Sequence, residues 1–236
     1  MATLGQPLGT IYSFRFAGLS PENGYPLFYT TDGRKVHEGD YEAMELVPSG
    51  SIYPDLTGGF DTRITYKKNL SLSVGFSYQL GGVKRLPSLY GNLNYAFDPT
   101  RNAPSFFNNR WRQPGDEAVT DIPALYDTTI ANNFPTELMG LYDDNTWADV
   151  RMVSMYDHSD LRVAKSDFLR LRNVTLSYRL PHEWLRPLHI RELTLRLQGS
   201  NLFTLKSSKW EGLDPETAYA NMPLMPSFNL GINVMF

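Results

Sequence analysis

The sequence predicts an all-β chain: a segment of an antiparallel up-and-down transmembrane β-barrel, with about six strands and long extracellular loops. Three observations lead there. Apolar and polar residues alternate with period two over long runs. Every second connection between those runs is brief while the others are long. No apolar run approaches the ~20 residues of a membrane-spanning helix, which leaves only strands as a way across a bilayer. Mean hydropathy is −0.34, as expected where strands carry their apolar character on one side only.

In chain order, the first alternation is Tyr12, Phe14 and Phe16 against Ser13 and Arg15. The second runs from Gly59 to Lys67, with Phe60, Ile64 and Tyr66 on one side and Asp61, Arg63 and Thr65 on the other. The third is unbroken from Leu70 to Leu80, where a helix would scatter the same side chains around its circumference. The fourth, Asp167 to Leu180, places Val174, Leu176, Tyr178 and Leu180 opposite Asn173, Thr175, Ser177 and Arg179. Its first half, Leu169-Arg170-Leu171-Arg172, has the opposite phase, and the expectation is a strand that continues beyond the apolar layer. The fifth covers Leu193 to Thr204, and the sixth closes the chain with Phe228, Leu230, Ile232, Val234 and Phe236.

The connections are about forty residues after the first run, a tight turn at Lys68-Asn69, about eighty-five residues from Gly81 to Ser166, the short Pro181–Arg191 link, and about twenty residues before the last run. Compact soluble domains seldom hold irregular loops of such length, whereas outer-membrane barrels alternate short periplasmic turns with long outer loops. Tyr66, Tyr78, Tyr178, Trp184, Phe203, Phe228 and Phe236 gather near strand ends, as the aromatic girdles of such barrels do. The rival reading is a soluble β-sandwich glycan-binding module, in which the same stripes pack on a second sheet.

Composition excludes several classes. A net charge of −3 lacks the basic footprint of a nucleic-acid binder, and with no cysteine there is no disulfide, thiolate metal site or cysteine nucleophile. Residues 1–7 contain neither a basic nor an apolar signal region, so the expectation is either a cytoplasmic chain or one whose start is missing. His37, His158, His182 and His189 are scattered, and His182-Glu183 lacks the second histidine of a zinc-protease helix. No catalytic constellation, metal set or cofactor motif is read, so the expectation is a non-enzyme without cofactor. Loop aromatics Trp111, Tyr126, Trp147 and Trp210 are candidate substrate contacts, with mutual packing as the plainer role. Arg15, Asp61, Arg63, Arg179 and Arg196 are the charges expected to face a lumen.

The final octad, with Asn229, Gly231, Val234 and Phe236, resembles the insertion signal of bacterial outer-membrane proteins. Phe168-Leu-Arg-Leu-Arg-Asn-Val-Thr-Leu-Ser-Tyr-Arg-Leu-Pro181 resembles the FLRLKNVTLGYTLP stretch of SusC/RagA-type TonB-dependent transporters. Trp184-Leu185, Ile190 to Leu197, Asn201-Leu-Phe-Thr204, Gly212-Leu-Asp-Pro-Glu216, Gly5-Gln-Pro-Leu-Gly9 and Arg110-Trp-Arg-Gln-Pro-Gly115 fall in the order of that family's landmarks. The resemblance implies a barrel of about 22 strands blocked by a plug, of which residues 1–236 match the C-terminal part. It also implies location in the bacterial outer membrane and import of glycans, oligosaccharides or peptides. The implied partners are a SusD-like lipoprotein, TonB (through an N-terminal part absent here), the barrel-insertion machinery and outer-membrane lipid.

Overall fold

The computed structural model describes residues 5–37, 43–88, 105–124, 148–217 and 223–236. In chain order these carry β1 (Thr10–Phe14), β2 (Phe16–Leu19), β3 (Pro26–Tyr29), β4 (Lys35–Val36), β5 (Leu46–Ser51), β6 (Leu56–Tyr66), β7 (Leu70–Leu80) and β8 (Val83–Arg85). Then follow helix α1 (Ala148–Asp157), β9 (Val163–Lys165), β10 (Phe168–Arg179), helix α2 (His182–Leu185), β11 (Glu192–Lys206) and β12 (Ser227–Met235). The chain divides into two compact units, Met1–Ser51 with Arg85–Val163, and Ile52–Lys84 with Ala164–Phe236.

The second unit is built on one antiparallel sheet in the order β6-β7-β10-β11-β12. Each long strand pairs with the next long strand in sequence, the up-and-down arrangement expected. At about 3.4 Å per residue, the 11 residues of β7 reach across the ~25 Å apolar band of a tilted barrel wall. The hairpin between β6 and β7 closes on Lys67 and Lys68, both at positive φ (48° and 63°), with the Asn69 amide donating to the Tyr66 carbonyl at 3.2 Å. Two left-handed residues give the tight turn whose twist suits adjoining strands.

Register sorts the side chains into two faces. Tyr66, Leu70, Tyr178, Leu195 and Ile232 form one row across the five strands. The next apolar rows are Ile64, Leu72, Leu176, Leu197 and Leu230; Thr62, Val74, Val174, Gly199 and Phe228; and Phe60, Phe76, Leu171 and Phe203. Phe60 and Phe76 stack at 4.8 Å. Aromatics therefore border this face toward both ends, with aliphatic side chains concentrated between them. The opposite face carries Thr65, Ser71, Ser177 and Arg196, then Arg63, Ser73, Thr175, Gln198 and Asn229, then Asp61, Gly75, Asn173 and Ser200.

The phase flip in β10 has a cause other than the one expected. Register shifts between Leu171 and Asn173 against both neighbouring strands, leaving Arg172 as an extra residue. On β11 the same step passes over Asn201 and Leu202, and Asn201 sits at φ 54°. This bulge re-phases the strand, so Leu169 and Leu171 stay on the same face as Val174 and Leu176. Both halves of β10 belong to one apolar face, and the strand does not run on past it.

That face is uncovered. Leu176 is 41% exposed and Leu197 51%, although both sit on interior strands. In a sandwich these positions would be dry, so the soluble β-sandwich does not describe this sheet. Every residue of the edge strands β6 and β12 is exposed, and the sheet stays open, as an incomplete barrel wall must.

The first unit is where the structure corrects the strand count. The Tyr12–Phe16 alternation gives β1, which pairs with β5, and β2, which pairs with β3 beside β4. Neither joins the five-stranded sheet. The reason is packing: Phe14 and Phe16 meet Phe28 edge-on at 6.3 and 6.2 Å, inside a core with Leu19, Tyr25, Met44, Phe107, Trp111, Met152, Met155 and Tyr156. Two stretches expected as irregular loops thus supply a core of their own.

Within it, Trp111 lies flat against Gly24. A Cβ at Gly24 would stand 2.2 Å from the indole ring, and Gly24 has φ 70°. Gly24→Ala combines a left-handed penalty with overpacking, and a loss of about 2–4 kcal/mol in this unit is expected. Thermal melting, or proteolysis confined to the first unit, would register it.

Candidate functional site

The polar face of the five-stranded sheet is the surface with chemistry. Four of the five charges expected to share a lumenal face lie on it: Asp61, Arg63, Arg179 and Arg196. Arg63 donates from Nε to Ser73 Oγ at 2.9 Å, and Arg179 Nε pairs with Glu192 at 3.1 Å. Gly75 sits between Asp61 and Asn173 in register, and both side-chain Oδ1 atoms occupy the space a Cβ there would need. At Gly231 a Cβ would meet nothing nearer than the Arg196 Cβ at 3.8 Å, an ordinary contact.

Arg15 is not on this face. It joins β1 to β2 in the first unit, bonds Glu45 at 2.9 Å and lies over the Tyr29 ring at 4.8 Å. Arg15 is therefore not one of the charges of the five-stranded sheet, because its segment is captured by the first unit's own core.

Two of the loop aromatics are packed inside their own units. Trp210 is fully buried, its Nε1 donating to the Lys165 carbonyl at 2.8 Å. Trp111 is buried against Gly24, its Nε1 donating to Glu117 at 3.1 Å. Neither ring offers a free face to a ligand, because each closes a turn of its own unit. Tyr126 and Trp147 lie outside the described residues.

One constellation on the polar face escaped the sequence reading. Arg170, on β10, is 1% exposed. Its Nη2 donates to both carboxylate oxygens of Asp214 at 2.7 Å, and its Nε stands 3.1 Å from Glu216. Asp214 also accepts from the Glu216 amide at 3.0 Å. Lys84 donates to the Pro215 carbonyl at 2.7 Å, and Lys206 donates to the Leu213 carbonyl. Burial opposes the charge of Asp214, but the Arg170 guanidinium and the backbone amides hold its carboxyl below the usual range. The β11–β12 loop is thereby bound to the polar face at the end away from the tight turns. The available signal was a pair of facts about 44 residues apart: an arginine in phase with Ser77 and Thr204, and an Asp-Pro-Glu run in the next long loop.

The octad Asn229–Phe236 forms most of β12. Asn229 and Gly231 are on the polar face, Val234 is on the apolar one, and Phe236 follows the strand at 79% exposure. Among the described residues no group of three or more His, Asp or Glu side chains is placed to hold a metal ion.

No family model matches the chain. It is 21% identical over 98% of its length to TonB-dependent receptor P3 of Formosa agariphila, and 26% identical over 97% to TonB-dependent receptor P39 of the same organism. The chain spans 22% and 20% of the length of those relatives. Its fold matches the RagAB peptide importer in the open-open state, with TM-score 0.61 and 22% identity over 100% of this chain and 24% of that one. The RagAB peptide transporter matches at TM-score 0.60, with 24% identity over 95% of this chain and 22% of that one. Along nearly its whole length the chain is thus similar to part of TonB-dependent receptors, and it shares its fold with part of the RagAB peptide importer.

Proposed function

We propose that this chain is part of the wall of an outer-membrane importer, energised through TonB, that takes up oligomeric nutrients (peptides or oligosaccharides) with a SusD-like lipoprotein as partner. The observation that carries this reading is the two-faced sheet. Its apolar rows are uncovered on interior strands and bordered by aromatics, while its other face is lined by Ser, Thr, Asn, Gln and Arg. A bilayer outside and a hydrated lumen inside satisfy both faces at once. The open edges β6 and β12 call for further strands, since lipid does not tolerate unpaired backbone. On this reading the exposed β12, with Asn229, Gly231, Val234 and Phe236, is the edge taken up by the insertion machinery. The chain binds and conducts and does no covalent chemistry.

Peptide rather than glycan uptake is favoured by the RagAB fold match alone. The test is uptake of labelled oligopeptides and oligosaccharides by cells with and without the receptor that carries this segment, in backgrounds with and without TonB. Accumulation of one class should require both the receptor and TonB. Accumulation independent of either would overturn the reading.

A further inference from the structure

We propose that the tight-turn end of the five-stranded sheet is a binding rim for anionic phospholipid headgroups, with Lys67, Lys68, Arg186 and Arg191 taking the phosphates. It rests on the outer-membrane reading above and adds a lipid partner to it. The pairing of Leu70 with Tyr178, the bond from the Arg179 amide to the Asn69 carbonyl at 2.7 Å, and the bond from the Arg191 amide to the Met235 carbonyl at 2.8 Å bring the segments together. The β6–β7 turn, the α2 connection and the end of β12 therefore share one end of the sheet. All four cations are exposed. Among the described residues none of the four is in an ion pair, whereas Arg179 at the same end is held by Glu192.

The charge is concentrated there. The chain as a whole is at −3, yet residues 66–69 and 179–192 hold five Lys and Arg against two Glu. The cations also stand next to the last apolar-face residues of β6 and β10. Those residues are Tyr66 and Tyr178, and Lys67 Nζ lies 5.3 Å over the Tyr66 ring. On the α2 connection Trp184 is 62% exposed and Leu188 64%, while Leu185 between them is buried. An amphipathic aromatic beside unpaired cations fits the boundary between acyl chains and phosphates, the aromatic ring seated at headgroup level and the cations above it. A solvated turn has no use for an exposed Trp184 and Leu188.

Partitioning of the receptor that carries this segment onto vesicles of phosphatidylcholine with and without phosphatidylglycerol separates this rim from the apolar face. Each lysine or arginine near an anionic surface is worth about a fivefold change in partitioning. Neutralising all four (K67Q, K68Q, R186Q and R191Q) should cut binding to the phosphatidylglycerol vesicles roughly six-hundredfold at low salt. Binding to pure phosphatidylcholine should not change, and exchanging Lys67 and Lys68 for arginine should keep full binding. Equal binding of parent and neutralised receptor to the anionic vesicles would overturn the rim while leaving the membrane reading intact. Failure of the parent receptor to associate with either vesicle would overturn both.

Discussion

Replacing Arg170 with alanine is expected to destabilise the sheet unit by about 3–5 kcal/mol, because it leaves the Asp214 carboxylate buried without its cation. The two Nη2 bonds at 2.7 Å end, and the β11–β12 loop loses its tie to the polar face. Arg170→Lys should recover only part of the loss, since an ammonium cannot reproduce the guanidinium's planar reach to Asp214 and Glu216 together. Removing both partners, Arg170→Ala with Asp214→Ala, should cost less than the sum of the single changes. Thermal melting of the chain in detergent, with proteolysis at the β11–β12 loop, reads all three. The pair also gives acid sensitivity of a definite sign. The folded carboxyl of Asp214 lies below its unfolded value of 3.8, so its contribution is complete above that pH and is lost as the pH falls further, through the folded value. Loop release on acidification should be absent from Asp214→Asn.

The second large effect comes from two adjacent residues that face opposite ways. Leu176→Lys puts a charge in the middle of the apolar rows, between Leu72 and Leu197, and should cost about 2–4 kcal/mol in a bilayer. Thr175→Lys, one position earlier, points into the row of Ser73 and Gln198 and should cost within about 0.5 kcal/mol. Urea titration of the receptor that carries this segment, folded into vesicles, measures both. A sheet packed in a dry interior would also reject Leu176→Lys, but such a chain would remain folded without lipid, so the comparison is made with and without vesicles.

The long sheet was readable from sequence because period two over eleven residues admits one face assignment, and because register carries that assignment from strand to strand. Leu70–Leu80 is the clearest instance. The β10 phase flip was visible but ambiguous: an extra residue at Arg172 and a strand running past its apolar layer produce the same string of letters. Tyr12–Phe16 alternates as a wall strand would, yet five residues are too few to distinguish a wall from a small sheet over an aromatic core. That core draws on Trp111, Met152 and Tyr156, far along the chain and without any period of their own. Arg170 and Asp214 were hidden for a related reason, since a pair contributed by a strand and a distant loop leaves no local pattern.

The absence of cysteine from the chain allows a direct reading of which face meets lipid. Single cysteines at Leu72, Ser73, Thr175, Leu176, Leu197 and Gln198, each carrying an environment-sensitive fluorophore in reconstituted vesicles, can be quenched from the bilayer by brominated lipid or from water by iodide. Lipid quenching is expected at 72, 176 and 197, and iodide quenching at 73, 175 and 198. Protection of 72, 176 and 197 from both quenchers, as in a closed protein interior, would contradict the assignment of the apolar face to the membrane.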